Sequence, residues 1–360
     1  MRALAREGRV LWVESLGNRS PRVSGRDLGR LARKAARAAG GVKEVEKNLH
    51  VLSPLALPYF DPAARAANRL IVGTQVRVAM ARLSFSRPIS WSFLPAAAPV
   101  AGRIGESFVV YHCVDDFSAF TGTPPVMTEL EADLCRRADL VVASAERLAE
   151  KLRPFNEETI LVRHGVDHAH FARALDPATP LAAELAGLPK PILGFFGLIA
   201  DWVDVELLAR VAERFSAGSL VLVGAAATDA GAVRARPNVH LLGRRPYADL
   251  PGFCKGFDIA LLPFRRNALT LAANPLKVRE YLAAGLPVVA TAIPEVESLG
   301  LCRVAGDAAS FLDQIEAALA DRPGPRPERS AAMAGESWES RLAEIQGHVA
   351  RVMVERGAKG

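Results

Sequence analysis

The sequence predicts an α/β protein of two domains, each built on a parallel sheet, and three observations lead there. Short apolar segments, among them 108–112, 139–144, 191–196, 219–223 and 257–263, alternate with helical patterns, as strands joined by crossover helices do. The chain has 360 residues, enough for two domains with separate cores. Residues 175–190, rich in Pro, Ala and Gly, read as the linker. The expected division is 1–174, a linker over 175–190, 191–330, and a last helix within 331–360.

In order, residues 1–7 read as the end of a helix and 9–14 (RVLWVE) as a buried strand. A doubly wound domain would start one strand, one glycine loop and most of a helix earlier. The expectation is therefore a first domain lacking its first strand, with a natural start upstream. Residues 26–39 (RDLGRLARKAARAA) form an amphipathic helix, with Arg26, Arg30, Arg33, Lys34 and Arg37 within about a third of the circumference. That face suits anionic lipid, but the alanine-rich apolar side is weakly membrane-seeking and favours a solvated face of a core-packed helix. Residues 48–53 read as a strand, 62–83 as a long helix, 88–94 and 108–112 as strands, 129–137 as a helix and 139–144 as a strand, with Ser144 capping a helix over 145–152. After a strand at 159–162, Gly165 reads as a tight turn and Asp167 as the cap of a short helix. The second half continues with strands at 191–196, 219–223, 239–242 and 257–263, a helix over 305–319, a Pro-rich break at 322–329 and a helix over 337–356.

Half of the residues are hydrophobic and 6% aromatic. No apolar run approaches the ~20 residues that cross a bilayer, and the start has no leader pattern, so a cytoplasmic location is expected. Cys113, Cys135, Cys254 and Cys302 are far apart and match no metal spacing, which suggests reduced, buried thiols and no metal site. The net charge of +6 is uneven: residues 1–90 hold 17 Lys and Arg against 6 Asp and Glu, or +11, leaving −5 for the other 270. An anionic partner should meet the N-terminal quarter.

Chemistry concentrates in Ala273-Asn274-Pro275-Leu276-Lys277-Val278-Arg279-Glu280-Tyr281 and the following LAAGLPVVAT. Asn274 suits an N-cap, Pro275 the first helical position, and Gly285 with Pro287 a helix end before a strand. A helix start with Lys277 and Arg279 suits a phosphate, and Glu280 could accept hydrogen bonds from a ribose. The same residues also fit a surface helix with ordinary charges. At the end of strand 108–112, His112, Asp115 and Asp116 form a polar cluster where open α/β sheets bind ligands; either aspartate could instead cap a turn. Gly197 follows the strand over 191–196, in outline a phosphate-cradling turn.

These stretches resemble family 4 glycosyltransferases of a bacterial branch, with NPLK-EYLAAG-PVV at 274–289, a GFFG-x5-D-like segment at 194–204 and VYHCVDDFSAF at 110–120. The resemblance implies a GT-B fold: two Rossmann-like domains with parallel sheets facing across a cleft, the last helix crossing back to the first domain. It implies a nucleotide-sugar as donor substrate, no separate cofactor, and a sugar or lipid-linked acceptor. Contact with the inner membrane face would run through helix 26–39, and no nucleic acid is expected. Glu280 would be the second glutamate of the family's E-x7-E motif, whose first falls at Ala272. By the same resemblance Lys277, Glu280, Asp115 and His112 would carry the chemistry. Gly197, Arg244, Arg245, Arg265, Asn274, Pro275, Leu276 and Arg279 would hold the donor. Transfer would keep the anomeric configuration and need no metal, since no Asp-x-Asp motif occurs. The rival readings are an inactive nucleotide-sugar-binding subunit, which Ala272 suggests, and a nucleotide-sugar epimerase. A dinucleotide dehydrogenase is disfavoured because no full G-x-G-x-x-G occurs.

Overall fold

The computed structural model describes residues 1–15, 41–57 and 60–357, so the helix expected over 26–39 lies outside the described residues. The chain divides into two units, Met1–Val162 with Leu342–Gly360, and Arg163–Arg341. The division falls at Arg163, not in the expected linker. Residues 175–190 pack within the second unit: Leu185 is in its core, and Lys255 Nζ donates to the carbonyls of Asp176, Pro177 and Thr179 at 2.8, 3.2 and 2.7 Å. One lysine thus satisfies three carbonyls of a Pro-rich stretch that has no ladder to pair them.

In the first unit, strands β1 (Val10–Val13), β2 (Val42–Glu46) and β3 (Leu49–Leu52) form one sheet in the order β1-β3-β2. Strands β4 (Ile89–Ser92), β5 (Phe108–Cys113), β6 (Leu140–Ala143) and β7 (Thr159–Leu161) form a second, all parallel. β1 runs parallel to β3, but β2 is antiparallel and was not anticipated. It turns back into β3 through Asn48, whose φ of 63° is one that asparagine tolerates. Among the described strands β1, β2, β4 and β7 are the edges of these two sheets.

Among the described residues the helices of this unit before Val162 are α1 (Arg2–Glu7), α2 (Pro62–Arg82), α3 (Val126–Arg137) and α4 (Glu146–Leu152). Asp61 caps α2 by accepting from Ala64 N at 3.0 Å, with Pro62 at its first position. Ser144 does not cap α4; its hydroxyl donates to the Val114 carbonyl at 3.1 Å.

The second unit has one six-stranded sheet, all parallel: β8 (Ile192–Phe196), β9 (Ser219–Val223), β10 (Val239–Gly243), β11 (Ile259–Leu262), β12 (Val288–Thr291) and β13 (Arg303–Ala305). Their spatial order, β10-β9-β8-β11-β12-β13, is the 3-2-1-4-5-6 sequence of a Rossmann sheet. β8, β9, β11 and β12 are buried along their whole length, which explains why they read as unbroken apolar runs. The longest helices are α5 (Val205–Arg214), α6 (Leu276–Ala283), α7 (Ala308–Ala320) and α8 (Trp338–Gly357), alongside shorter ones such as His168–Ala172 and Leu250–Gly256. Residue 305, expected in a helix, ends β13 instead; α7 starts at 308 behind a capping box from Asp307 and Ser310.

Near the start of this unit Val166 N donates to Glu336 O at 2.8 Å. A Cβ on Gly165 would lie 2.6 Å from Trp338 N, so this glycine permits the close passage of two chain segments rather than the expected turn. From Leu342 onward α8 belongs to the first unit, where Ile345, Val349 and Val352 pack with Phe108, Val110, Leu140 and Val142.

Candidate functional site

In a sheet of this order the ligand crevice opens at the carboxyl ends of the strands, where the strand order reverses between β8 and β11. Gly197 follows β8 and Phe264 lies just beyond β11. The chain after β8 runs beside the chain after β9, with Gly197 N bonded to Val223 O at 2.8 Å and Ile199 N to Ala225 O at 2.9 Å. Contrary to the sequence expectation, no helix begins at Gly197. α5 starts eight residues later, capped by Asp204 at 3.0 Å from Leu207 N, so a helix end near this site comes from α6.

Lys277, half-buried in the first turn of α6, reaches this switch point. A Cβ built on Gly197 would overlap Lys277 Cε and lie 2.9 Å from Nζ, and Nζ is 5.9 Å from the centroid of the Phe264 ring. Gly197 has φ +137°, a region L side chains rarely adopt. Two features legible only as a lone glycine and a lone lysine, 80 positions apart, thus occupy one spot. Tyr281, one turn on, fixes α6 to β8: its hydroxyl accepts from Phe196 N at 2.9 Å and its ring packs edge-on to Phe196 at 4.6 Å.

Glu280 is 8% exposed. Burial pushes its carboxyl up to about 7, the Lys277 charge pulling the other way. A folded pKa above the ordinary 4.5 means that the protonated form is favoured in the fold. Its contribution is complete below about pH 4.5 and lost as the pH rises through about 7. Glu280→Gln should therefore flatten the fall in stability between pH 5 and 8, by on the order of 3 kcal/mol at the upper end. Urea unfolding at both pH values checks this, and identical pH profiles for the two proteins would count against it.

The other expected donor residues are placed less simply. Pro275, not Asn274, occupies the cap position of α6; it is buried, and Leu276 beside it is partly so. Asn274 Oδ1 instead accepts from Arg279 Nη1 at 2.6 Å. Arg279 is 1% exposed. Its Nε lies 4.0 Å from Glu336, and burial lowers its pKa to about 10 despite that charge. At 100° per residue Arg279 falls on the opposite side of α6 from Lys277, a consequence of register that charge counting overlooks. Arg265 is paired with Glu206 at 2.6 Å and lines a hollow with Asp201 and Asp229, surroundings that disfavour an anion. Arg245 is paired with Glu184 at 2.8 Å, while Arg244 is exposed.

The loop of Arg244 and Arg245 also presents Tyr247, which sequence reasoning passed over. It stacks on His170 with centroids 4.3 Å apart, and its phenol is held above its ordinary value by burial and then by the charges of Glu280 and Asp167. Its place beside the GRRP turn was the available signal. Asp167 caps the helix His168–Ala172 as expected, accepting from His170 N at 3.1 Å.

In the first unit His112 is the penultimate residue of β5, 8% exposed, with its ring 5.3 Å from that of Phe93 and 6.1 Å from that of Trp91. Asp115 is partly exposed beyond the strand. The turn is capped by Asp116, whose carboxylate accepts from Ser118 N at 3.2 Å and from Lys151 at 2.8 Å. Burial opposes that charge, but Lys151 and Ser118 outweigh it and lower the pKa. Lys151 also meets Glu131 at 2.7 Å, and Glu131 accepts from the Tyr111 hydroxyl at 2.7 Å. This network was invisible in sequence because its members come from four separate elements.

A doubly wound parallel sheet with a glycine and a lysine at its switch point, in a chain whose first unit has a parallel sheet of its own, is the make-up of a GT-B fold. Solved structures of this fold overlay the chain. An α,α-trehalose-phosphate synthase (UDP-forming) from Burkholderia xenovorans, in complex with glucose-6-phosphate, has a TM-score of 0.64 at 13% identity, over 96% of this chain and 100% of that one. The catalytic domain of starch synthase IV from Arabidopsis thaliana, bound to ADP and acarbose, has a TM-score of 0.63 at 12% identity, over 87% and 84%. Anabaena Alr3699/HepE in complex with UDP has a TM-score of 0.60 at 16% identity, over 96% and 100%.

Residues 190–321, which lie within the second unit, match the family of glycosyl transferases group 1. The chain is also 26% identical, over 226 residues and 58% of its length, to a Bacillus subtilis (strain 168) protein provisionally named as the teichuronic acid biosynthesis glycosyltransferase TuaH. The match spans 56% of that relative, a little over half its length.

Proposed function

We propose that the chain is a glycosyltransferase that moves a sugar from a nucleoside-diphosphate sugar to an acceptor hydroxyl, in the synthesis of a cell-surface polysaccharide or glycolipid. The observation that carries this is Lys277 lying over Gly197 at the switch point of the second sheet, at the start of α6. The family match and the named role of the Bacillus relative support it.

Breaking the glycosidic bond places negative charge on the departing diphosphate. A lysine and a helix start already aimed at that charge stabilise the transition state more than the ground state. Glu280, buried and held partly neutral near pH 7, would take the ribose hydroxyls. His112 and Asp115 would serve the acceptor side. Transfer with retention and without a metal belongs to the same proposal: the leaving phosphate oxygen would take the acceptor proton, and the cationic role falls to Lys277. The nucleotide-sugar is a substrate, and no separate cofactor is invoked. No helix among the described residues is long and apolar enough to cross a membrane, and the reading places the enzyme in the cytoplasm, at the inner membrane face.

Isothermal titration with UDP, GDP and ADP tests the proposal. One of the three should bind, and binding of none would leave an inactive scaffold. Turnover of a nucleotide-sugar without acceptor, yielding its epimer, would favour the epimerase instead.

A further inference from the structure

Helix α2 packs one side against the first unit through Ala64, Asn68, Val72, Val76 and Ala79, all buried. Its opposite side is unusual. Leu70 is 66% exposed, Val78 46% and Ile71 40%, and at 100° per residue the three fall within one third of the circumference. Beside Ile71 runs the segment of Leu55 and Leu57, also exposed, tied to the helix by Leu55 N donating to Gln75 at 3.0 Å and Leu57 N to Asn68 at 2.7 Å. Five large apolar side chains thus share a surface that water would normally hold with polar groups.

The rim of that surface is cationic. Arg69, Arg77, Arg82 and Arg103 are all exposed, and no Asp or Glu occurs from residue 62 to 105. Arg77 donates to the Arg103 carbonyl at 3.3 Å, which draws two of the arginines together. Partial burial, then the charges of Arg137 and Arg69, lower the pKa of Arg103, the mark of a crowded positive field.

We propose that the outer face of α2, with Leu55 and Leu57, docks on an anionic lipid bilayer, the leucines and valine entering the interface while the arginines meet headgroup phosphates. Apolar residues flanked by arginine without acid are the composition of an interfacial helix. A second copy of the chain is the weaker occupant, because a twofold contact would set these arginines against one another. The surface is separate from the donor site in the second unit, so its failure and that of the transferase reading are independent.

Co-sedimentation of the whole chain with vesicles tests the proposal, using phosphatidylcholine alone and phosphatidylcholine with phosphatidylglycerol. Binding is expected only with the anionic lipid, weakening as salt is raised. Leu70→Gln with Val78→Gln should reduce it about tenfold or more, and each of Arg69→Gln and Arg77→Gln about fivefold. These sites are exposed, so unfolding midpoints should match the wild type. Absence of binding to anionic vesicles overturns the proposal. So does binding that survives the Leu70/Val78 change yet disappears when Arg26, Arg30, Arg33 and Arg37 are made Gln. A lipid-free dimer that the Leu70/Val78 change dissociates would assign the face to a second copy and equally overturn it.

Discussion

Replacing Lys277 by alanine is expected to lower sugar transfer by about two orders of magnitude or more, on the order of 3 kcal/mol of transition-state stabilisation. The loss should fall on kcat, because the charge that Lys277 meets grows as the bond to the leaving diphosphate breaks. Arg265 and Arg245 offer no replacement, since each is committed to a carboxylate, and Arg279 is buried on the far side of the helix. Donor turnover at saturating acceptor measures the effect. Near-wild-type kcat would remove this lysine from the mechanism and with it the observation that carries the proposed function. Lys277→Arg is a sharper variant: the charge stays, but the planar guanidinium must pass as close over Gly197 as Lys277 Cε does, and only partial rescue is expected.

Gly197→Ala should be as damaging to activity as losing the lysine itself. The added methyl would overlap Lys277 Cε, and the φ of +137° is strained for alanine whatever the space. A cost of about 1–3 kcal/mol in stability is expected on backbone grounds. The informative measurement is the double variant. If Gly197→Ala acts by displacing Lys277, adding it to Lys277→Ala should cost little further activity, whereas its stability cost should persist. Independent, multiplying losses in turnover would show that the glycine matters for some other reason, such as approach of the ligand to the backbone.

Most of the second unit was legible in the sequence. β8, β9, β11 and β12 are buried on both faces, and such strands print themselves as unbroken apolar runs; α6 announced its ends through Pro275 and Gly285. The first unit was less legible for an equally physical reason. β2, VKEVE, has four of its five residues exposed, so its hydrophobic pattern is faint, and only Asn48 hinted at the hairpin. The linker misled because Pro, Ala and Gly describe a chain without regular structure, which says nothing of whether Lys255 and the core will hold it.

Of the candidate site, the sequence by itself determined the residue types: a lysine and a glutamate near a proline-started helix, and a glycine after an apolar strand. Local propensity and periodicity depend on neighbours along the chain, and these features are local. Only the tertiary structure decided which charges are available. It brought Lys277 onto Gly197, turned Arg279 inward to Asn274, and paired Arg265 and Arg245 with acids distant in sequence. Whether a cation can meet a ligand depends on burial and on the partner that reaches it first, and both are set by contacts between residues that the linear order keeps apart.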